Sequence, residues 1–320
     1  MPMTETKNKV VVRPLEETDL PEADRIMRLA FGTFLGLPDP SGFLGDASYV
    51  RTRWLADPAT AFGAEVGGEF AASNFVSNWG SVGFFGPLTV RPDLWNRGIG
   101  KRLMEPTMEC FADWGTKHVG LFTFAHSPGH IYLYEKFGFW ARFLTAVMSK
   151  PVVEASPAPQ WSRLSALLEG DRAESLKACR ELCDAIYEGL DLEGEIHAVA
   201  TQGLGDTVLL WDDANLAGFA VCHWGAGTEA GSGAYYIKFG AVRPGPETGE
   251  NFERLLDTCE ALAAAQGLRL IIAGMNMGRH EAYCAMRSRG FRTDVQAVTM
   301  HRSNDPGYSH PGVYVIDDWR

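Results

Sequence analysis

The sequence has few cysteines, little positive charge and no long apolar run. Six cysteines in 320 residues do not make a disulfide framework, and Cys179 and Cys183 lack a second pair at zinc spacing, so we predict no metal site. The formal net charge of −11 excludes a general nucleic-acid binder, because such a surface would repel phosphates. No stretch approaches the roughly 20 apolar residues of a membrane span, and the first residues contain no signal-peptide run. We therefore expect a cytoplasmic protein without a membrane partner.

A long-range repeat organises the chain. The segment VRP occurs at residues 90–92 and again at 242–244, an offset of 242 − 90 = 152, and the same offset relates the GF pairs at 138–139 and 290–291. One constant offset over such a distance indicates a tandem duplication. We predict two domains, residues 1–155 and 156–320, joined by the proline- and alanine-rich segment VVEASPAPQW near residue 155.

The order of the predicted elements is the same in both halves. The first half opens with a strand at residues 10–12 and a helix after residue 21. In both halves a strand hairpin then precedes strands that alternate with helices. This order predicts an α/β (α+β) unit on a mixed central sheet in each half. Near the end of the chain, VYVI reads as a strand that caps its own domain. The alternative is that it completes the sheet of the first half, where the sequence predicts no further strand after FLTAVMSK.

A basic glycine turn lies between the strand FFGPLTV and the next helix. Gly98 and Gly100 expose the backbone where the first N–H groups of the helix lack partners, a suitable seat for a phosphate. The turn does not match a dinucleotide fingerprint, since Leu103 stands where a third glycine is needed, nor a P-loop, since Arg102 follows Lys101. The alternative is that the glycines serve only the backbone geometry.

The segments LTV, RPDLWNRGIGKRL and LYEKFGF together resemble the GCN5-related N-acetyltransferase (GNAT) superfamily. The resemblance implies a tandem GNAT fold in two repeats, as in mycothiol synthase, and acetyl-CoA as co-substrate. Its pyrophosphate would lie on the amides of residues 97–103 and its pantetheine arm along residues 88–90. Two positions depart from the family pattern: Trp95 replaces a glutamine or arginine, and Ser127 replaces an asparagine. The predicted cofactor-binding residues are Leu88, Thr89, Val90, Asn96, Arg97, Gly98, Ile99, Gly100, Lys101, Arg102 and Ser127.

The two halves differ at the positions that carry the motif. At the offset of 152, Gly98 becomes Glu250 and Gly100 becomes Phe252, and Tyr134 meets Met286. A carboxylate and a bulky ring would both oppose a bound pyrophosphate. We therefore predict a catalytic first domain and a second GNAT-like domain without an intact cofactor motif. Residues 1–155 alone are expected to retain weak cofactor binding and to lose most acceptor turnover.

Acetyl transfer needs a polarised carbonyl, a proton for the departing thiolate and a neutral amine. The resemblance suggests Tyr134 as general acid, since a tyrosine with pKa about 10 and a thiol with pKa about 8.5 are nearly matched. A backbone N–H near Val90 would polarise the carbonyl. His126 is the predicted base, because an ordinary histidine pKa lies near neutrality. His130 and a water chain remain open alternatives.

These inferences predict an N-acetyltransferase that moves an acetyl group from acetyl-CoA to the amine of a small-molecule acceptor by direct attack. The alternatives are a non-catalytic acyl-CoA sensor or scaffold, and a peptide or protein N-acetyltransferase. The expected partners are acetyl-CoA and the amine, without nucleic acid or membrane. The protein is expected to be a monomer or a homodimer.

Overall fold

The structure is a computed structural model that describes residues 9–153 and 156–320. The predicted domain boundary at residue 155 lies outside the described residues. Among the described residues, no helix combines the length and the apolar character that crossing a bilayer requires.

The strands are β1 (Val10–Pro14), β2 (Ala61–Val66), β3 (Glu69–Trp79), β4 (Val82–Phe85), β5 (Thr89–Val90), β6 (His118–Thr123), β7 (Phe139–Pro151), β8 (Trp161–Arg163), β9 (Gly205–Asp212), β10 (Asn215–Gly225), β11 (Gly231–Val242), β12 (Leu270–Asn276), β13 (Arg292–Arg302) and β14 (Val315–Ile316). The helices are α1 (Leu20–Phe34), α2 (Val50–Ala56), α3 (Ile99–Trp114), α4 (Pro128–Glu135), α5 (Glu169–Ile186), α6 (Glu193–Gln202), α7 (Thr248–Ala265) and α8 (His280–Ser288). The predicted mixed α/β class is confirmed.

The strands of both halves form one continuous sheet. Its order is β1-β2-β3-β4-β6-β13-β7-β12-β11-β10-β9-β8, with β5 paired to β3 and β14 paired to β11. The pairs β4–β6 and β11–β12 are parallel, and the other pairs are antiparallel. In the described part of the chain, helices therefore accompany a mixed sheet, as the order of elements predicted.

The halves exchange strands at the centre of the sheet. β13 of the second half inserts between β6 and β7 of the first, and β7 pairs on its other side with β12 of the second half. Val298 and Met300 of β13 are buried in the same apolar cluster as Phe85 and Phe139 of the first half. The strand that completes the first half is therefore β13. The alternative that VYVI does so is wrong.

A gap opens in the sheet at equivalent places in the two halves. β4 and β6 pair as far as Phe85 and Leu121, and β11 and β12 pair as far as Ile237 and Ala273. These positions differ by 237 − 85 = 152 and 273 − 121 = 152. Beyond Phe85 the chain turns away, since β5 pairs with β3 and not with β6. The repeat seen in the sequence thus holds at the level of strand register.

The gap in the second half is filled by its own C-terminal segment. Ile316 and Val315 pair antiparallel with β11, and Asp317 forms a bridge to Met275 of β12. The VYVI strand therefore caps its own half, as expected. Two residues later, Trp319 packs on Gly120 of β6, where even a Cβ atom would lie 2.2 Å from the indole ring. The segment after β14 thus reaches the first half.

Candidate active site

The glycine turn lines a cleft of about 550 Å³ at the N-terminus of α3. Gly98 precedes the helix with a φ of 78°, a left-handed conformation that favours glycine. Along α3, the amide of Arg102 is bonded to the Gly98 carbonyl at 3.3 Å. The amides of residues 99–101 precede this bond and have no intrahelical acceptor. With the positive end of the helix dipole, they form an anion seat at this wall of the cleft.

Ten of the eleven predicted cofactor-binding residues line this cleft. They are Leu88, Thr89, Val90, Asn96, Arg97, Gly98, Ile99, Gly100, Lys101 and Ser127. Arg102 is the exception. Its guanidinium turns along α3 towards Glu105, with Nη1 3.5 Å from Oε2, so the structure does not place it at the cleft. An arginine four positions after Gly98 lies on another face of the helix from Lys101.

Gly100 has no left-handed backbone angle, but a side chain there would be tightly packed. A Cβ atom there would lie 3.3 Å from Leu133 Cδ2 and 3.4 Å from Leu88 Cδ2. A Cβ atom at Gly98 would meet nothing within 4 Å, so a side chain at that position would extend into open space. The two glycines of the motif therefore serve different purposes.

The backbone of Val90 faces the gap in the sheet. The Arg91 amide donates to the Ala71 carbonyl of β3, at 2.8 Å, whereas the Val90 carbonyl accepts the indole N–H of Trp95 at 2.7 Å. Alternate residues of a strand direct their backbone groups to opposite sides, so the Val90 N–H also faces away from β3. It is available to a carbonyl oxygen placed in the gap. Trp95, which departs from the family pattern, thus binds the edge along which the pantetheine arm was predicted to lie.

A second, apolar cavity of about 230 Å³ adjoins the cleft. Four residues line both spaces and mark the junction: Phe31, Leu88, His130 and Tyr134. Both halves contribute to the apolar cavity, since Val295 of β13 and Trp319 line it together with residues of the first half. Phe43, from the segment GLPDPSGFLGD between α1 and α2, also lines it, with its ring 5.5 Å from that of Phe31.

Tyr134 is almost fully enclosed at this junction. Only 7% of the residue is exposed, and its ring packs edge-on against Phe85 at 5.5 Å. Burial raises the pKa of its hydroxyl above the ordinary value. The hydroxyl is therefore protonated at neutral pH and is a weaker acid than an exposed tyrosine. Helix α4 places it there, because Pro128 at the first helical turn sets the start of that helix.

His126, in the loop before α4, and His130, in α4, differ in whether they line the two spaces. His126 is exposed, stacks on Phe34 at 5.3 Å and lines neither space. His130 lines both, and burial, together with the nearby His126, lowers its pKa. A lowered pKa keeps the imidazole neutral at neutral pH, ready to accept a proton. The structure therefore brings His130, and not the predicted His126, to the junction.

A buried arginine that the sequence analysis missed ties the two halves together beside the cavity. Arg53 Nε lies 3.0 Å from Glu229 Oε1, and its Nη1 donates to the Gly86 carbonyl at 2.6 Å. Its Nη2 donates to the Arg320 carbonyl. Burial by itself would raise the pKa of Glu229, but Arg53 and Lys238 outweigh it and hold that pKa below the ordinary value. No sequence signal points to a pair separated by 176 residues.

Residues 26–139 match the family model described as the acetyltransferase (GNAT) family. This segment of the chain is therefore similar to a GNAT acetyltransferase domain. GNAT enzymes use acetyl-CoA, and the anion seat on α3, the cleft beside it and the available N–H of Val90 suit that co-substrate. The match begins within α1 and ends at the start of β7. No curated protein sequence matches the chain.

Solved structures of the same fold extend over nearly the whole chain. A putative acetyltransferase from Pyrococcus horikoshii is similar with a TM-score of 0.68 at 14% identity, over 97% of this chain and 95% of the other. A GCN5-related N-acetyltransferase from Sphaerobacter thermophilus gives 0.62 at 18% identity, over 93% and 96%. A tandem GNAT protein from the clavulanic acid biosynthesis pathway gives 0.58 at 13% identity, over 93% and 99%. The chain thus has the fold of a tandem GNAT protein.

Proposed function

We propose that this protein transfers the acetyl group of acetyl-CoA to the amine of a small molecule bound in the apolar cavity, with one catalytic site in the first half. The observation that supports this most strongly is the junction of the two spaces. The cleft with the anion seat and the apolar cavity meet at Tyr134 and His130. A donor in one space and an acceptor in the other would meet beside a proton donor and a proton acceptor.

Backbone N–H groups would do most of the binding of acetyl-CoA. The amides of residues 99–101, with Arg97 and Lys101, would bind the pyrophosphate of the co-substrate. Acetyl-CoA supplies the thioester whose acetyl group is transferred. The Val90 N–H, directed into the gap, would bind the carbonyl oxygen and stabilise the negative charge that develops on it.

Tyr134 and His130 would handle the protons. The Tyr134 hydroxyl, which burial keeps protonated, would donate its proton to the departing thiolate. The neutral His130 imidazole would accept the proton that the amine loses. We propose His130 in place of His126 because only His130 reaches the junction. Both histidines pack on Phe34, at 5.2 and 5.3 Å, so the exposed one is a good control for the other.

The second half would serve as a wall and not as a second enzyme. In the second half, the segment around β14 fills the gap between β11 and β12, whereas the equivalent gap in the first half stays open. In α7, Glu250 lies in the first turn and Phe252 is fully buried with its ring 5.2 Å from Tyr314. The positions equivalent to the two glycines of the first half thus carry a carboxylate and a ring, and the equivalent gap in the sheet holds an added strand. We propose one acetyl-CoA per chain.

The test is acetyl-CoA turnover with a panel of amines, read as free thiol, for the wild type and matched histidine variants. We expect amine-dependent thiol release that falls about 10²-fold or more in His130→Gln and little in His126→Gln. Loss in His126→Gln alone would return the base role to His126. Binding of one acetyl-CoA without turnover of any amine would favour an acyl-CoA sensor instead.

A further inference from the structure

The cavity beside the cofactor cleft restricts what the acceptor can be. We infer that the acceptor is an amine on an apolar, ring-sized body that carries no second charge. This inference rests on the proposed function, because it takes the apolar cavity as the acceptor site.

The walls of the cavity are aromatic and apolar. The rings of Phe43 and Phe124 lie 5.5 and 6.0 Å from that of Phe31, and Phe85 and Trp319 line the same space. A cavity of about 150 Å³ with such walls holds a benzene molecule. The volume here, about 230 Å³, suits one ring with a short arm. Such an arm would lead the amine to the junction at Tyr134.

The described part of the cavity wall offers little to hold a second charge. Among the described residues that line it, none has an acidic side chain, and the one permanent cation is Arg320. That guanidinium is already engaged, with Nε 3.0 Å from Asp318 Oδ2 and its carbon 4.4 Å from the ring of Tyr236. An extra ammonium would be desolvated here without an acidic partner, and an extra carboxylate would have only Arg320, whose charge Asp318 already balances. Polyamines, amino acids and amino sugars therefore fit poorly.

The mouth of the cavity is apolar as well. Leu35, Leu44 and Val295 line the cavity and yet are 41%, 37% and 40% exposed. Leu35 and Leu44 come from the first half and Val295 from the second, so the rim is shared by the two domains. A rim of exposed apolar side chains around a pocket is typical of a binding site for an apolar ligand.

The test uses the full-length protein with phenethylamine as the apolar amine and spermidine, glucosamine and lysine as polar amines. We expect kcat/KM for phenethylamine to exceed each polar amine by at least about tenfold. Leu35→Asp should lower that kcat/KM at least about tenfold without changing the KM for acetyl-CoA, because it places a charge at the rim. The matched control is Leu55→Asp on α2, equally exposed at 41% and outside the cavity, which should behave as the wild type.

Preferred turnover of a polar amine, or an unchanged Leu35→Asp enzyme, would overturn the inference while leaving the transferase in place. If no amine is acetylated, the proposed function fails, and binding of the uncharged analogue 2-phenylethanol, measured by calorimetry, decides the inference separately. Binding that Leu35→Asp weakens and Leu55→Asp does not would support an apolar ligand site. Absence of binding would refute it.

Discussion

Three buried histidines make the folded protein sensitive to mild acid. Desolvation lowers the pKa of His118 and His223 to about 4 and that of His301 to about 3, from an ordinary value of 6.5. His118 of β6 and His301 of β13 face each other across the exchanged strands, with ring centroids 4.7 Å apart. Each imidazole is 3% exposed or less, and its Nε2 has no hydrogen-bond partner among the described residues.

The direction of the effect follows from which state binds the protons. The unfolded chain takes up these protons near pH 6.5, whereas the folded protein excludes them until about pH 4 or below. The stabilisation is therefore present above pH 6.5 and is lost as the pH falls towards 4. Between about pH 7 and about pH 5, each histidine removes about 2 kcal/mol from the free energy of unfolding. Asp318 acts in the opposite sense, because burial raises its pKa and the folded state binds its proton first.

Urea unfolding followed by tryptophan fluorescence at several pH values measures this loss. We expect the free energy of unfolding to fall by about 4–6 kcal/mol between about pH 7 and about pH 5. The slope of the free energy of unfolding against pH gives the number of protons taken up on unfolding. His223→Met should reduce that number by about one, and the substitution of an exposed histidine, His197→Gln, should leave it unchanged. A slope of less than about one proton in the wild type over this range would refute the assignment of three neutral, buried imidazoles.

Three further outcomes follow from the site and the sheet. Tyr134→Phe should lower kcat about 10²–10⁴-fold with little change in the KM for acetyl-CoA, and unchanged steady-state turnover would leave Tyr134 a packing residue. Gly98→Glu should weaken acetyl-CoA binding by at least about 100-fold, because a carboxylate at the anion seat opposes the pyrophosphate. Gly98→Ala bears the same backbone strain without the charge, and calorimetry should find its acetyl-CoA affinity much less reduced. Residues 1–155 expressed alone should fail to fold by circular dichroism and thermal melting, since β13 is missing between β6 and β7, and a cooperative melt would contradict this.

The last of these outcomes revises an expectation drawn from the sequence. Without the structure, residues 1–155 look like a complete unit that retains weak cofactor binding. The structure shows that Val298 and Met300, from β13, are buried in the first-half core. Nothing near residue 155 reveals this, because a strand pattern predicts a strand but not its neighbours.

The site was accessible to sequence reasoning where its parts are local. Gly98, Gly100 and Lys101 are consecutive or nearly so, and the free amides of a helix start follow from a short stretch of chain. Tyr134 followed from the family resemblance, and its role as general acid stays a prediction. The position of the two histidines was not accessible in this way. His126 and His130 are only four residues apart, and tertiary packing alone decides that His130 reaches the junction.

What the sequence by itself determined is periodic or local: the duplication at an offset of 152, the mixed class of the fold and the anion seat before α3. The tertiary structure alone decided three features: the exchange of β7 and β13, the pairing of β14 in the sheet gap of the second half, and the apolar cavity shared by the two halves. It also decided the Arg53–Glu229 pair, whose members are 176 residues apart. The physical reason is that backbone conformation depends on neighbouring residues, whereas strand partners, cavities and buried charges depend on which distant surfaces bury the most apolar area together.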